Sequence, residues 1–228
     1  MRGIILAGGR GTRLQPATFA MNKHMVPILN KPMILYPINT LKSLGITDIL
    51  LVSGGGHIGL FAEFLGDGSQ YGVNLTYKVQ MEAGGIAQAL GLAKDFAGGK
   101  QVAVILGDNI FSNDITGNFK PDKAYLYLKY VPDANRFGVY LDGKIIEKPK
   151  DISGGLAVTG LYIYPPEVFD IVPTLAPSKR GELEITDVNN AFIERGVCEV
   201  RQVKGFWSDA GTPDSLAVVT KWAHENNY

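Results

Sequence analysis

This chain of 228 residues holds one cysteine, three histidines and no acidic side chain before Asp48. A single thiol, Cys198, allows no internal disulfide, and its place in the alternating run Val197, Cys198, Glu199, Val200 predicts burial in a strand, not reactivity. His24, His57 and His224 are too widely spaced to form a zinc cluster with that thiol, and each reads as a surface or packing residue. No apolar run approaches the roughly 20 residues of a membrane span. The apolar stretch at residues 4–7 is also too short for the core of a secretory signal. A cytoplasmic protein with no membrane partner is the expectation.

Net charge is absent too, with 22 basic and 22 acidic groups in balance, which argues against a general nucleic-acid-binding surface. The balance is uneven along the chain. Arg2, Arg10, Arg13, Lys23, Lys31 and Lys42 fall in the acid-free opening, and all 22 acids follow it. A locally positive opening on a neutral protein suggests a site for a small polyanion. What the chain has in quantity is apolar material, 46% of its residues. That is enough for one compact domain burying roughly 70% of its unfolded surface.

The first half alternates apolar runs with helix-like segments, the pattern of a mainly parallel sheet covered on both faces. Strands are predicted at 3–7, 48–53, 74–80 and 101–106, and helices at 32–44, 57–65 and 86–96. In the second half, strand-like runs at 124–131, 137–141, 144–147 and 157–164 are separated by short turns such as Asp142-Gly143, which predicts antiparallel pairing. Helices follow at 166–172 and 184–195. A last one opens at Thr212-Pro213, where threonine caps and proline takes the first turn. No repeat, low-complexity tract or linker interrupts the chain, so residues 1–228 read as one domain with a mixed sheet.

The loop Leu6-Ala7-Gly8-Gly9-Arg10-Gly11-Thr12-Arg13-Leu14 follows the first strand, where backbone amides at the carboxyl end of a parallel strand can wrap phosphates. A plain tight turn is the simpler reading. A dinucleotide fingerprint would need glycine at Leu14 and an acid about 20 residues on, where Asn30 and Lys31 stand. A phosphate loop of the nucleotide-hydrolase kind would need Gly-Lys-Ser/Thr, and Gly11-Thr12-Arg13 departs from it. What remains is a glycine loop with a fixed charge at Arg13 and Lys23 ten residues later, a pair suited to a triphosphate. With Asn22 and His24 beside it, Lys23 also reads as an ordinary solvated lysine.

Other candidates carry similar alternatives. Asp108 lies just beyond the apolar strand at 101–106, at the sheet's carboxyl edge, as a metal ligand or a turn residue. Asp209 stands between apolar residues and a helix with the same two readings. Gln80 and Gly84-Gly85 could offer an amide and backbone groups to a pyrimidine edge, or merely end a strand. Glu147-Lys148 pairs an acceptor for sugar hydroxyls with a cation for a phosphate, or forms an exposed charged turn. Trp207 reads as cavity wall or core.

The segment 6–34, with Lys23, Pro27 and Lys31-Pro32-Met33-Ile34 at these spacings, resembles the signature of sugar-1-phosphate nucleotidyltransferases. It is most similar to glucose-1-phosphate thymidylyltransferases. The likeness continues through Gly66-Asp67-Gly68-Ser69, Gly107-Asp108-Asn109-Ile110-Phe111, Glu147-Lys148-Pro149, Val158-Thr159-Gly160-Leu161-Tyr162 and Gly181-Glu182-Leu183-Glu184-Ile185-Thr186-Asp187.

The resemblance implies a single-domain, three-layer α/β/α, Rossmann-like nucleotidyltransferase fold with a mixed, mainly parallel sheet. Its nucleotide part would cover about 1–112 and its sugar-phosphate part about 113–228. It further implies magnesium held by Asp108 and Asp209, and a nucleotide held by Leu6, Gly8, Gly9, Gly11, Thr12, Arg13, Gln80, Gly85 and Asp108. The sugar 1-phosphate would be held by Gly138, Glu147, Lys148, Val158, Tyr162 and Trp207. Arg13, Lys23, Asp108 and Lys148 would carry the chemistry, a single in-line displacement with no covalent nucleophile. The presence of all of these ligands argues against a non-catalytic sensor. The expected substrates are dTTP, with UTP as the alternative, and glucose 1-phosphate. Longer members of the family carry additional C-terminal helices that the sequence does not show after Tyr228. Regulation and homo-oligomer formation therefore stay open.

Overall fold

A computed structural model describes residues 1–9, 11–112, 115 and 117–228, which leaves Arg10 of the glycine loop outside the described residues. The first half contains β1 (Arg2–Leu6), α1 (Ala17–Ala20), β2 (Pro27–Ile28), β3 (Lys31–Pro32), α2 (Leu35–Ser43), β4 (Asp48–Gly54) and α3 (Ile58–Leu65). It continues with β5 (Asn74–Gln80), α4 (Ile86–Gly91), α5 (Lys94–Ala97), β6 (Val102–Leu106) and β7 (Asn109–Phe111). The second half holds β8 (Ala124–Val131), β9 (Gly138–Leu141), β10 (Lys144–Glu147) and β11 (Gly155–Tyr164). It closes with α6 (Val168–Ile171), α7 (Ile185–Glu194), β12 (Cys198–Gln202), β13 (Trp207–Asp209) and α8 (Pro213–Glu225).

Nine strands form one sheet in the order β10-β9-β11-β6-β1-β4-β5, with β8 against β11 and β12 against β8. The strands β6, β1, β4 and β5 run parallel, while β11 is antiparallel to β6, β8 and β9. Because β1 and β6 are covered on both faces, they are apolar at nearly every position, and Ile4, Ile5 and the run from Val102 to Ile105 are wholly buried. Side-chain alternation sends Ile4, Leu6, Val102 and Val104 to one face, where they meet Ala87, Val168 and Val188 of the helices there. Ile5, Ala103 and Ile105 go to the other, against Ile38, Leu41 and Phe61. The result is the α/β/α sandwich, each buried isoleucine adding about 2 kcal/mol of apolar transfer.

Several boundaries differ from the sequence reading. The helix expected at 32–44 begins at Leu35, because Lys31 and Pro32 pair with Ile28 and Pro27 in a two-stranded ribbon. The helix expected at 86–96 is two short ones, α4 and α5, broken after Gly91, whose bare Cα packs against Val172. The helix expected at 166–172 is α-helical only over Val168–Ile171 and tightens into a 3-10 turn at Val172–Thr174. The strand containing Cys198 pairs parallel to β8, unlike its antiparallel neighbours. The last helix opens as expected, with Thr212 and Ser215 forming a reciprocal capping box around Pro213. Among the described residues, no helix is long and apolar enough to cross a membrane.

Two irregularities shape the site. A register shift in β11 between Val158 and Tyr162 bows that strand beside Asn109. A ribbon of β7 and β13 sets Asp209 opposite Asn109, next to Asp108.

Candidate active site

The glycine loop leaves β1 at the carboxyl edge of the sheet and turns at Gly11, whose φ of 68° is left-handed. A 3-10 turn over Thr12–Leu14 follows, anchored by the buried Leu14 and by Thr18 Oγ1 donating to the Gly11 carbonyl at 2.8 Å. This anchoring aims Arg13 back across the sheet edge. Gly8 meets a different constraint, because a Cβ there would lie 2.6 Å from Gln80 Oε1. Only a bare backbone lets the amide of Gln80 come so near the loop.

Lys23 lies along this loop, its stem beside Gly9 and Gly11, and its Nζ reaches Asp108 Oδ2 at 2.5 Å. The expected solvated environment is absent. Asn22 and His24 are buried, and the Lys23 side chain is 13% exposed. Asn22 Oδ1 accepts from the His24 backbone at 2.9 Å and lies 2.8 Å from His24 Nδ1, which closes the turn that points Lys23 inward. Burial, and then the charge of Lys23, lower the His24 pKa to about 3, so the imidazole is neutral near pH 7. Burial works to raise the Asp108 pKa, but the charge of Lys23 and hydrogen bonds from Lys23 and Asn109 outweigh it and hold the carboxylate ionised.

Asn109 organises the neighbouring wall. Its Nδ2 donates to Asp108 Oδ1 at 3.0 Å, while its Oδ1 accepts from Gly160 N at 2.9 Å and from Trp207 Nε1 at 2.7 Å. Trp207 is therefore both buried and part of the cavity wall, with its ring edge-on to Phe137 at 5.3 Å. Arg136 Nη2 donates to both Asp209 oxygens, and its Nη1 donates to Asp133 Oδ2 at 2.6 Å. Burial raises the Asp209 pKa and nearby Asp108 adds to this, against the lowering effect of Arg136. A methyl group on Gly211 would lie 3.0 Å from Asp209 Oδ2, 3.3 Å from Arg13 Nη2 and 3.4 Å from Asp108 Oδ2. Both acids and Arg13 thus border one small space.

A second cluster lies across the cavity. Glu147 Oε2 accepts from Thr186 Oγ1 at 2.6 Å, and Glu147 Oε1 is 3.4 Å from Lys148 Nζ and 3.5 Å from Arg180 Nη2. Arg180 is itself held by Glu184 through Nη2, at 2.8 and 2.9 Å. Lys148 has a φ of 45°, a left-handed backbone rarely adopted by a residue with a long side chain, and strain of that kind gathers at functional sites.

One cavity of about 630 Å³ unites the two clusters. The glycine-loop residues Leu6, Gly8, Gly9, Thr12 and Arg13 line it, together with Lys23, Gln80, Gly85, Asp108 and Asp209. So do Gly138, Glu147, Lys148, Val158, Tyr162 and Trp207. Gly11 does not line it, because this glycine turns the chain and packs beneath Lys23 and Thr18. Arg136, Arg180, Asn109 and Thr186 also line the cavity and were not singled out by sequence reasoning. Arg180 and Thr186 flank or fall within the Gly181-to-Asp187 motif, which was the available signal. Arg136 had none.

The family described as nucleotidyl transferase matches residues 2–226. A glucose-1-phosphate thymidylyltransferase of Xanthomonas campestris is 42% identical over 94% of this chain and 78% of its own length. Its namesake from Mycolicibacterium smegmatis is 42% identical over 95% of this chain and 80% of its own length. Among solved structures, a Bacillus anthracis protein assigned by inference to the same activity superposes with a TM-score of 0.91 at 46% identity, covering 100% of this chain and 97% of that one. With likeness sustained along nearly its whole length and through the strands that frame the cavity, the chain belongs to the nucleotidyl transferase family.

Proposed function

We propose that this cavity transfers the thymidylyl group of dTTP to glucose 1-phosphate, releasing pyrophosphate and giving a nucleotide sugar. The observation that carries the reading is the approach of Arg13, Asp108 and Asp209 to one point, with Lys23 bonded to Asp108. A triphosphate laid along the glycine loop meets cations there, and the Glu147, Lys148 and Arg180 cluster opposite suits a sugar phosphate. Its curated relatives at 42% identity bear the name of this activity.

The donor set fits magnesium, which favours oxygen ligands and is commonly bound through one or two carboxylates with phosphate and water. Asp108 and Asp209, which both line the cavity, supply those carboxylates. When bound, the ion neutralises phosphate charge and makes the α-phosphorus more electrophilic. Arg13 and Lys23 hold the triphosphate and stabilise the charge that develops on departing pyrophosphate. Lys148 and Arg180 orient the sugar phosphate, whose own oxygen is the nucleophile, and Glu147 accepts from the sugar hydroxyls. Gln80 and Gly85 face the base. No enzyme-bound intermediate is needed, so catalysis is alignment and charge neutralisation.

The test is pyrophosphate release with magnesium, each nucleoside triphosphate and a panel of sugar 1-phosphates. Highest kcat/KM for dTTP with glucose 1-phosphate supports the reading. A clear preference for UTP replaces it with a uridylyltransferase, and no release with any pair overturns it.

A further inference from the structure

Gln88 on α4 stands behind Gln80 and does not itself line the cavity. Gln80 Nε2 donates to Gln88 Oε1 at 2.6 Å and lies 3.4 Å from the Gly85 carbonyl. Both acceptors draw the amide nitrogen the same way. The amide oxygen consequently faces Gly8, on the cavity side, close enough to meet a Cβ there at 2.6 Å. The two ends of a carboxamide are alike in shape and opposite in hydrogen-bond character, so its orientation decides which partners it accepts.

That orientation has a chemical consequence for the base. Thymine and uracil carry a hydrogen on N3, which an amide oxygen can accept. Cytosine carries a lone pair at N3, which the same oxygen repels. We propose that Gln88 is a specificity-determining positioning residue, one that keeps the Gln80 oxygen turned into the cavity and so favours bases with an N3 hydrogen over cytosine. The inference rests on the reading above in which Gln80 faces the base. Nothing at position 88 need touch the nucleotide. Its part is to supply, beside the Gly85 carbonyl, an acceptor that a turned-over Gln80 amide would lose.

The acceptor can be removed, kept or inverted without a large change in volume. Gln88→Met removes it, Gln88→Glu keeps it, and Gln88→Lys replaces it with a donor. The readout is the ratio of kcat/KM for dTTP to that for dCTP, with glucose 1-phosphate as the second substrate. Sites built to hydrogen-bond a particular group reject its mismatched analogue by large factors. Gln88→Met is expected to lower the ratio by roughly tenfold or more, and Gln88→Lys by at least as much. Gln88→Glu is expected to stay within about threefold of the wild-type ratio, and the KM for glucose 1-phosphate to hold steady in all three.

A wild-type ratio in either Gln88→Met or Gln88→Lys overturns the proposal, as does an equal loss in Gln88→Glu. Should one variant fail to fold, the other two still decide it. Gln80→Ala separates this inference from the one beneath it. If that variant keeps the wild-type ratio, Gln80 does not read the base and the earlier reading of the pocket fails. If Gln80→Ala loses the ratio while the Gln88 variants keep it, only the role of Gln88 fails.

Discussion

Arg136 and Asp209, 73 residues apart in sequence, are joined by two hydrogen bonds of 2.9 and 3.0 Å from one guanidinium nitrogen. The arginine side chain is 29% exposed and the aspartate 11%, so the pair lies between the exposed and the buried extremes. Removing the cation leaves a largely buried carboxylate beside Asp108. Arg136→Ala is expected to lower stability by about 2 kcal/mol in urea denaturation without magnesium. Magnesium with dTTP should restore more stability to this variant than to wild type, since it provides the missing positive charge. Equal stabilisation of the two proteins would separate Arg136 from the metal site.

Lys23 pairs directly with Asp108, and its stem lies along the glycine loop. Lys23→Ala should reduce kcat by about a hundredfold or more, the usual loss when one charge-stabilising donor is removed. The measurement is pyrophosphate release at saturating substrates, with circular dichroism to verify the fold. Near-normal turnover would remove Lys23 from the mechanism.

Asp108 and Asp209 should be tested singly as asparagines. Each change keeps the shape and removes one negative charge, so the magnesium concentration giving half-maximal rate should rise by roughly tenfold or more. Manganese titrated into each protein and followed by paramagnetic resonance gives a second readout that does not need turnover. An unchanged metal response in both variants would place the ion elsewhere.

Asn109 serves three partners at once, and Asn109→Ala strands the buried donors of Gly160 and Trp207. At about 1–3 kcal/mol for each unsatisfied group, the combined loss should be roughly 3 kcal/mol. Trp207 fluorescence should change in the folded state as well. A loss under about 0.5 kcal/mol, the range of an ordinary surface change, would mean that the network is not structural.

Cys198 offers a pH experiment away from the cavity. Burial, with a smaller push from Glu199, raises its thiol pKa to about 11. A thiolate is the reactive form, so folded protein at pH 8 should label with iodoacetamide many times more slowly than unfolded protein. Because the native thiol keeps its proton longer than the unfolded one, stability from this group is intact at low pH and falls as pH rises from about 9 to 11. Cys198 is half-buried, and rapid labelling of native protein at pH 8 would contradict its shielding.

Much of this was legible before any coordinates. Periodicity found β5, β8 and β10 to the residue, because each is a long or turn-bounded strand with a strong apolar or alternating signal. Resemblance brought together most of the cavity, since its motifs lie in the loop after β1, just beyond β6 and β10, within β11 and ahead of α7. The short ribbons β2 with β3 and β7 with β13 were invisible, because two- and three-residue strands carry no period. The inward turn of Lys23 was hidden for a related reason. Asn22 and His24 look hydrophilic on paper, yet both are buried, with the Asn22 oxygen accepting from the His24 backbone and facing its ring nitrogen. Arg136 gave no sign at all, since its partner lies far along the chain and surface arginines are common.

The long strand β11 has one further implication. It bonds to β6 of the N-terminal half and to β8 and β9 of the C-terminal half, so a single backbone ladder joins the two. Such a floor ties the two halves through backbone hydrogen bonds and not through a linker. Reactants must therefore be brought into line by a surface already in place, and any closing motion falls to the loops at its rim.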